Sequence, residues 1–217
     1  MILAAVGMLK EAKLIAGAGV RAVAGGGRSD LLEQRLKAAL DGATAIISIG
    51  IGGALDQSLN VGDIVVGSEV LRPRGRWETD PAWTQRIMAR LPGAKLAAVY
   101  GSDDMVLHAL DKAKLRAKGG AALADMESHV AARLAKAKGL PFALVRVVSD
   151  TAGMSLPSAV LAGMKPDGGM NLIGVLAALA ANPGQLQALM RVGRDAETAF
   201  KALKTVRAAL GPELGLI

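Results

Sequence analysis

Short runs of β-branched and aliphatic residues alternate along the chain with stretches in which apolar residues recur three or four positions apart. The first pattern suits buried strands and the second amphipathic helices. Strands are read at residues 2–6, 20–24, 44–49, 63–70, 96–100 and 142–148. Helices are read at 29–41, 81–90, 104–117 and 126–138, with a long one inside 185–210. The N-terminal residues after the first strand read as a turn. This alternation predicts an α/β fold of three layers, α/β/α, around a mixed, largely parallel twisted sheet. A length of 217 residues suits one domain over 1–217, and neither a repeat nor a low-complexity linker divides it.

The stretch ADMESHVAARLAKAKGLPFALVRVVSD, residues 124–150, joins a helix to a strand and carries a carboxylate at each end. Val130, Ala131, Leu134 and Ala135 fall at helical spacing, Asp125 can cap the start, and Gly139 with Pro141 ends the helix. Glu127 is placed in the first helical turn, where the helix dipole favours a negative charge. Asp150 lies past the C-terminal end of the strand, where open α/β sheets bind ligands. Either carboxylate alone reads as a helix-start charge or a loop cap; the two together make a candidate site. Arg146, inside the apolar strand, requires a partner, and an ion pair is its expected state. His129, two residues after Glu127, points to another face and reads as structural.

Three further segments follow strand ends. Glu11 stands just after the first. Residues 24–30, AGGGRSD, open a helix with glycines and Arg28, so that backbone N–H groups and a guanidinium would meet an anion there. Gly50, Gly52 and Gly53 follow the third strand, where a flat ligand would approach the backbone closely.

Composition narrows the chemistry. Hydrophobic residues make up 52% of the chain but aromatics only 2%, so the core is expected to be aliphatic and there is little to stack on bases. The formal charge of +7 asks for an anionic partner, yet the basic residues are dispersed, and nucleic acid is not expected. There are no cysteines and only two histidines, His108 and His129, so neither thiolate chemistry nor a metal site is expected. No apolar run approaches the ~20 residues of a membrane span, and the N-terminus lacks a basic leader. A cytoplasmic protein is expected, at most peripheral on the inner face of the membrane.

These pieces resemble, in order, the purine nucleoside phosphorylase and methylthioadenosine/S-adenosylhomocysteine nucleosidase superfamily. The likeness runs through VGMLKEAKL, IGIGGALDQSLNVGDIVV, YGSDDMV, DMES and RVVSD, about residues 1–155. It implies that Glu127 accepts hydrogen bonds from ribose hydroxyls, with Met126 beneath the sugar. It also implies that Asp150, held by Ser149, protonates the departing purine at N7; partial burial would keep Asp150 protonated for that task. Gly52, Gly53 and Asp103 are implied on the substrate side. Glu11 matches the glutamate with which nucleosidases activate water. Phosphorylases instead hold phosphate through an Arg-x-Gly-Ser/Thr pattern, and here Ser48 stands for the Arg and Ile51 for the hydroxyl residue. A phosphate co-substrate would lean on Gly26, Gly27 and Arg28, with Arg72 or Arg74. No other cofactor is implied.

The segment beginning SLPSAVLAGMKPDGG resembles the tail of hopanoid-associated phosphorylases, which makes 155–217 a subgroup-specific helical part. That resemblance implies release of adenine from adenosylhopane, leaving ribosyl- or phosphoribosyl-hopane, and an assembly of two or more copies. The apolar residues of 172–181 and of the last helix, interspersed with Arg191, Arg194, Lys201, Lys204 and Arg207, would suit a lipid nucleoside and a membrane surface. They suit core packing or a subunit interface as well. The leading reading is therefore an adenosylhopane-cleaving nucleoside phosphorylase with inorganic phosphate as co-substrate; a soluble, hydrolytic methylthioadenosine/S-adenosylhomocysteine-type nucleosidase and a non-catalytic nucleoside-binding or membrane-associated protein are the competing readings.

Overall fold

The computed structural model describes residues 1–163, 165, 167–169 and 171–217, with the backbone alone for Leu172. Met164, Pro166 and Met170, part of the tail motif, lie outside the described residues. The elements run β1 (Ile2–Val6), α1 (Leu9–Ile15), β2 (Val20–Ala24), α2 (Ser29–Ala38), β3 (Ala45–Ala54), β4 (Ile64–Arg72), β5 (Gly75–Glu78), α3 (Pro81–Arg90) and β6 (Lys95–Gly101). There follow α4 (Ala109–Gly119), β7 (Leu123–Asp125), α5 (Ser128–Lys138), β8 (Phe142–Asp150), a 3-10 turn (Ser158–Gly163), α6 (Leu172–Ala181) and α7 (Leu186–Leu210).

The strands form one mixed sheet. Its parallel pairs are β1–β2, β1–β3, β3–β8, β4–β6 and β6–β7, and its antiparallel pairs are β3–β7, β4–β5 and β4–β8. The run β3–β8–β4–β6–β7 closes back on β3, so part of the sheet curls into a barrel-like ring. Layering follows from alternation along each strand. In β1, Ile2, Ala4 and Val6 face the cluster built with Trp83 of α3 and Phe200, Leu203 and Val206 of α7, while Leu3 and Ala5 face Leu32 and Leu36 of α2 and Leu134 of α5. With both faces covered, the central strands must be apolar at nearly every position, which is why they read as continuous runs.

The α/β architecture and the mixed, mainly parallel sheet are as the sequence predicts, and several boundaries are not. The segment after β1 is a helix, α1, rather than a turn. β3 does not stop at its glycines but continues through them to Ala54, paired with β8 as far as Gly53 with a shift of register between Gly52 and Gly53. The helix expected from residue 104 starts at Ala109, because Leu107 O accepts from Leu156 N (2.8 Å) and Ala109 N donates to Ser155 Oγ (3.0 Å). α5 starts at Ser128, since the Asp125 carboxylate takes up the N–H groups of Glu127 (3.1 Å) and Ser128 (2.9 Å). Among the described residues no single helix is long and apolar enough to cross a bilayer.

Candidate active site

The ends of β1, β3, β7 and β8 open on one cavity of about 230 Å³, and Glu11, Glu127 and Asp150 all line it. Each carboxylate lies against a glycine. A Cβ on Gly7 would stand 2.9 Å from Glu127 Oε1 and 3.2 Å from Glu11 Oε2, one on Gly50 would stand 2.4 Å from Glu11 Oε1, and one on Gly53 would stand 2.9 Å from Asp150 Oδ2. Real Cβ atoms essentially never come within 3.0 Å of a non-bonded atom, so these glycines are the room in which the carboxylates sit.

Glu11 reaches the cavity from the first turn of α1. Its Oε2 accepts from Met8 N (2.7 Å) and its Oε1 from Ile51 N (2.8 Å), which ties the end of β1 to β3. Burial is the main influence on this carboxyl and raises its pKa, against the backbone donor of Ile51 and the charge of Arg146.

Arg146 is fully buried in β8, and it finds the partner that a strand guanidinium requires. Nε donates to Asp125 Oδ2 (2.7 Å), and Nη2 to Ser48 Oγ (2.7 Å) and Glu127 Oε2 (3.3 Å). Asp125 thus does two things: one oxygen caps α5 and the other holds Arg146. Burial pushes the Glu127 carboxyl up to about 8, against Arg146 and with Asp125 and Glu11 adding to the rise. Ser48 thus accepts from an arginine of the neighbouring strand.

Asp150 closes the far side. Its Oδ1 accepts from Ser149 Oγ (2.7 Å), a hydroxyl also 3.1 Å from Gly52 O, and its Oδ2 is ion-paired with Lys112 Nζ. Asp150 is buried, and so is the ammonium that meets it. Lys112 is the residue sequence reasoning missed. It sits in a helix reading LDKAKLRAKG, where nothing in composition distinguishes it from the exposed Lys114 and Lys118.

Met126, Gly52 and Gly53 line the cavity with the carboxylates, and so does Ser149. Most of the remaining wall is apolar, from Met8, Ile51, Met105, Val106, Leu156, Val160 and Val192. The residues expected to cradle phosphate do not line it. Gly26 N is bonded to Gly7 O (2.8 Å), and the Arg28 side chain is 53% exposed and paired with Asp30. Asp103 also stays outside. It is bonded to Arg72 and lies 3.0 Å from His129 Nε2, while its neighbours Ser102 and Asp104 line the cavity. His129 is buried beside Asp103 and Ser29, and burial lowers its pKa, so the ring is neutral near pH 7.

A family model for the phosphorylase superfamily matches residues 4–181, and the chain belongs to that superfamily. The fold is shared with the 5′-methylthioadenosine/S-adenosylhomocysteine nucleosidase of Neisseria meningitidis, solved with methylthio-immucillin-A. Its TM-score is 0.71 at 15% identity, over 96% of this chain and 97% of that one. The corresponding nucleosidase of S. pneumoniae gives 0.67 at 16% identity, over 97% and 100%. Futalosine hydrolase of Helicobacter pylori gives 0.63 at 16% identity, over 94% and 96%. At these identities the likeness is one of fold. No curated protein matches the chain.

Proposed function

We propose that this chain cleaves the N-ribosidic bond of an adenine nucleoside with a bulky apolar 5′ substituent, adenosylhopane being the one its sequence resemblance implies, and that water is the nucleophile. The observation that carries the reaction is the convergence of Glu11, Glu127 and Asp150 on one cavity wall. Glu127 takes the ribose hydroxyls, with Met126 under the sugar. As the C1′–N9 bond breaks, its electron pair passes to the purine and N7 takes a proton from Asp150. Water attacks C1′ and loses its proton to Glu11, leaving adenine and the ribosyl product.

Support for water over phosphate comes from charge. Lys112, on the cavity wall, and Arg146, behind it, are already paired with carboxylates, and Gly26, Gly27 and Arg28 line no part of the cavity. A carboxyl raised by burial, as Glu11 is, suits a general base. The similar solved structures are named as nucleosidases and a hydrolase, which favours the same nucleophile.

Support for a lipid substrate comes from the apolar wall and its surroundings. Val160 and Val192 of the wall belong to the 3-10 turn and to α7, and those elements with α6 expose Leu161, Ile173, Leu176, Leu186 and Met190. The proposed protein docks peripherally on an anionic bilayer through this face, and takes its nucleoside from there.

The test is adenine release from adenosylhopane in detergent micelles, with and without inorganic phosphate, beside methylthioadenosine. Release from the lipid nucleoside at a rate indifferent to phosphate is expected. Dependence on phosphate would replace hydrolysis with phosphorolysis, and preference for methylthioadenosine would return the chain to soluble nucleosidase chemistry. Asp150→Asn is expected to lose at least 100-fold in adenine release. A variant as fast as wild type would overturn the assigned proton donor, and absence of turnover in wild type would leave a nucleoside-binding protein.

A further inference from the structure

We infer that Lys112 is the positioning residue of base departure, acting on the leaving purine only through Asp150, whose proton it replaces. The inference rests on the nucleoside-cleaving reading of the same cavity.

Lys112 is 1% exposed on a helix whose other lysines are in solvent. Its Nζ donates to Asp150 Oδ2, to Thr151 O (2.9 Å) and to Met154 O (2.9 Å). An ammonium has three N–H groups, so none is left for a ligand. Whatever Lys112 does to the reaction, it does through its acceptors. A buried cation also costs several kcal/mol unless it is fully paired, and a leucine would fill a helix–loop contact without that cost. The lysine is therefore explained by the carboxylate it meets at the cavity wall.

The geometry at Asp150 is fixed on both oxygens. Ser149 Oγ holds Oδ1, Lys112 Nζ holds Oδ2, and Gly53 leaves room behind. The two carbonyl acceptors belong to the loop after β8. That loop is joined to the start of α4 by the bonds of Leu156 to Leu107 and of Ala109 to Ser155. One side chain thus sets the aim of Asp150 and the course of the loop beneath the base.

The ion pair also holds one transferable proton. As the C1′–N9 bond breaks, its electrons go to the purine, Nζ passes a proton to the Asp150 carboxylate, and Asp150 passes it on to N7. Asp150 begins and ends as a carboxylate and Nζ is left a neutral amine. The pair carries one net negative charge until water reprotonates Nζ after adenine leaves, the proton that Glu11 took from the attacking water restoring the balance.

Two substrates separate this role from a structural one. An adenine nucleoside needs its base protonated, whereas a 4-nitrophenyl riboside with the same 5′ substituent leaves as a stable nitrophenolate. Lys112→Met is expected to slow adenine release about 100-fold more than nitrophenolate release. Lys112→Arg keeps a cation that does not give up its proton, and it is expected to show the same selective loss. The double variant Lys112→Met/Asp150→Asn removes the stranded charge, and it is expected to release adenine no more slowly than Asp150→Asn alone. Equal loss on both substrates, or recovery of adenine release in Lys112→Arg, would overturn the inference. A wild type that releases neither product would overturn the reading of the cavity and this inference with it.

Discussion

At the scale of single residues, the site consists of carboxylates seated on glycines. Gly50→Ala places a methyl group where Glu11 Oε1 now lies, 2.4 Å away, and must displace that carboxylate from the N–H of Ile51. A fall in kcat of at least tenfold is expected with the melting temperature changed by only a few degrees, read by steady-state kinetics beside calorimetry. Glu127 makes a pH prediction. Burial raises its pKa to about 8, so near pH 7 its neutral form predominates and one oxygen carries a proton. Two ribose hydroxyls donate better to the ionised form, so the Kd of a non-cleavable adenine nucleoside should tighten several-fold from pH 7 to pH 9. Glu127→Gln should bind more weakly at pH 9 and show no such trend by titration calorimetry. Glu11, Glu127 and Asp150 were legible in the sequence because each follows a strand or opens a helix, where position alone is informative. Lys112 was not, because one lysine among several on an amphipathic helix carries no mark of burial, and only the fold brings it to Asp150 from 38 residues away.

At the scale of elements, β8 and the β7–α5 junction are held by one buried charge cluster. Arg146 meets Asp125, Glu127 and Ser48, which bring together residues from β8, β7, the start of α5 and β3. Replacing Arg146 by methionine strands the buried Asp125 carboxylate and takes a donor from the Glu127 carboxyl, at a cost of about 3–5 kcal/mol. For a chain of this size that lowers Tm by on the order of 10 °C. Thermal unfolding should show that loss, and Asp125→Asn added to Arg146→Met should recover part of it; a melting temperature unmoved by Arg146→Met would mean that the cluster does not hold these elements. The sequence pattern located β8 and the need of Arg146 for a partner, but not which partner. It missed β7 because three residues are too few to display a period, and it ended β3 early because glycine ordinarily weakens a strand. Here Glu11, Leu123 and Asp150 fill the space those glycines leave.

At the scale of the whole molecule, the distribution of apolar surface sets the last expectation. α6 carries no charged residue, and Ile173 is 81% and Leu176 65% exposed, which a helix facing only water does not favour. Exposed Arg191 and Arg194 follow at the start of α7, and Lys165 precedes the helix. Apolar side chains beside basic ones match an anionic bilayer, each basic residue near the surface adding about 1 kcal/mol. The 3-10 turn before α6, and α7 itself, contribute Val160 and Val192 to the cavity, so in the proposed reading a lipid nucleoside enters the site from this side. Wild-type protein should therefore co-sediment with vesicles containing anionic lipid and do so less in high salt. The pair Ile173→Glu/Leu176→Glu should stay in the supernatant, still release adenine from a soluble nucleoside, and lose release from the lipid one. If sedimentation velocity instead shows an assembly that the two glutamates dissociate, with vesicle binding absent in wild type, then the face belongs to a second copy of the chain and the cavity draws its substrate from solution.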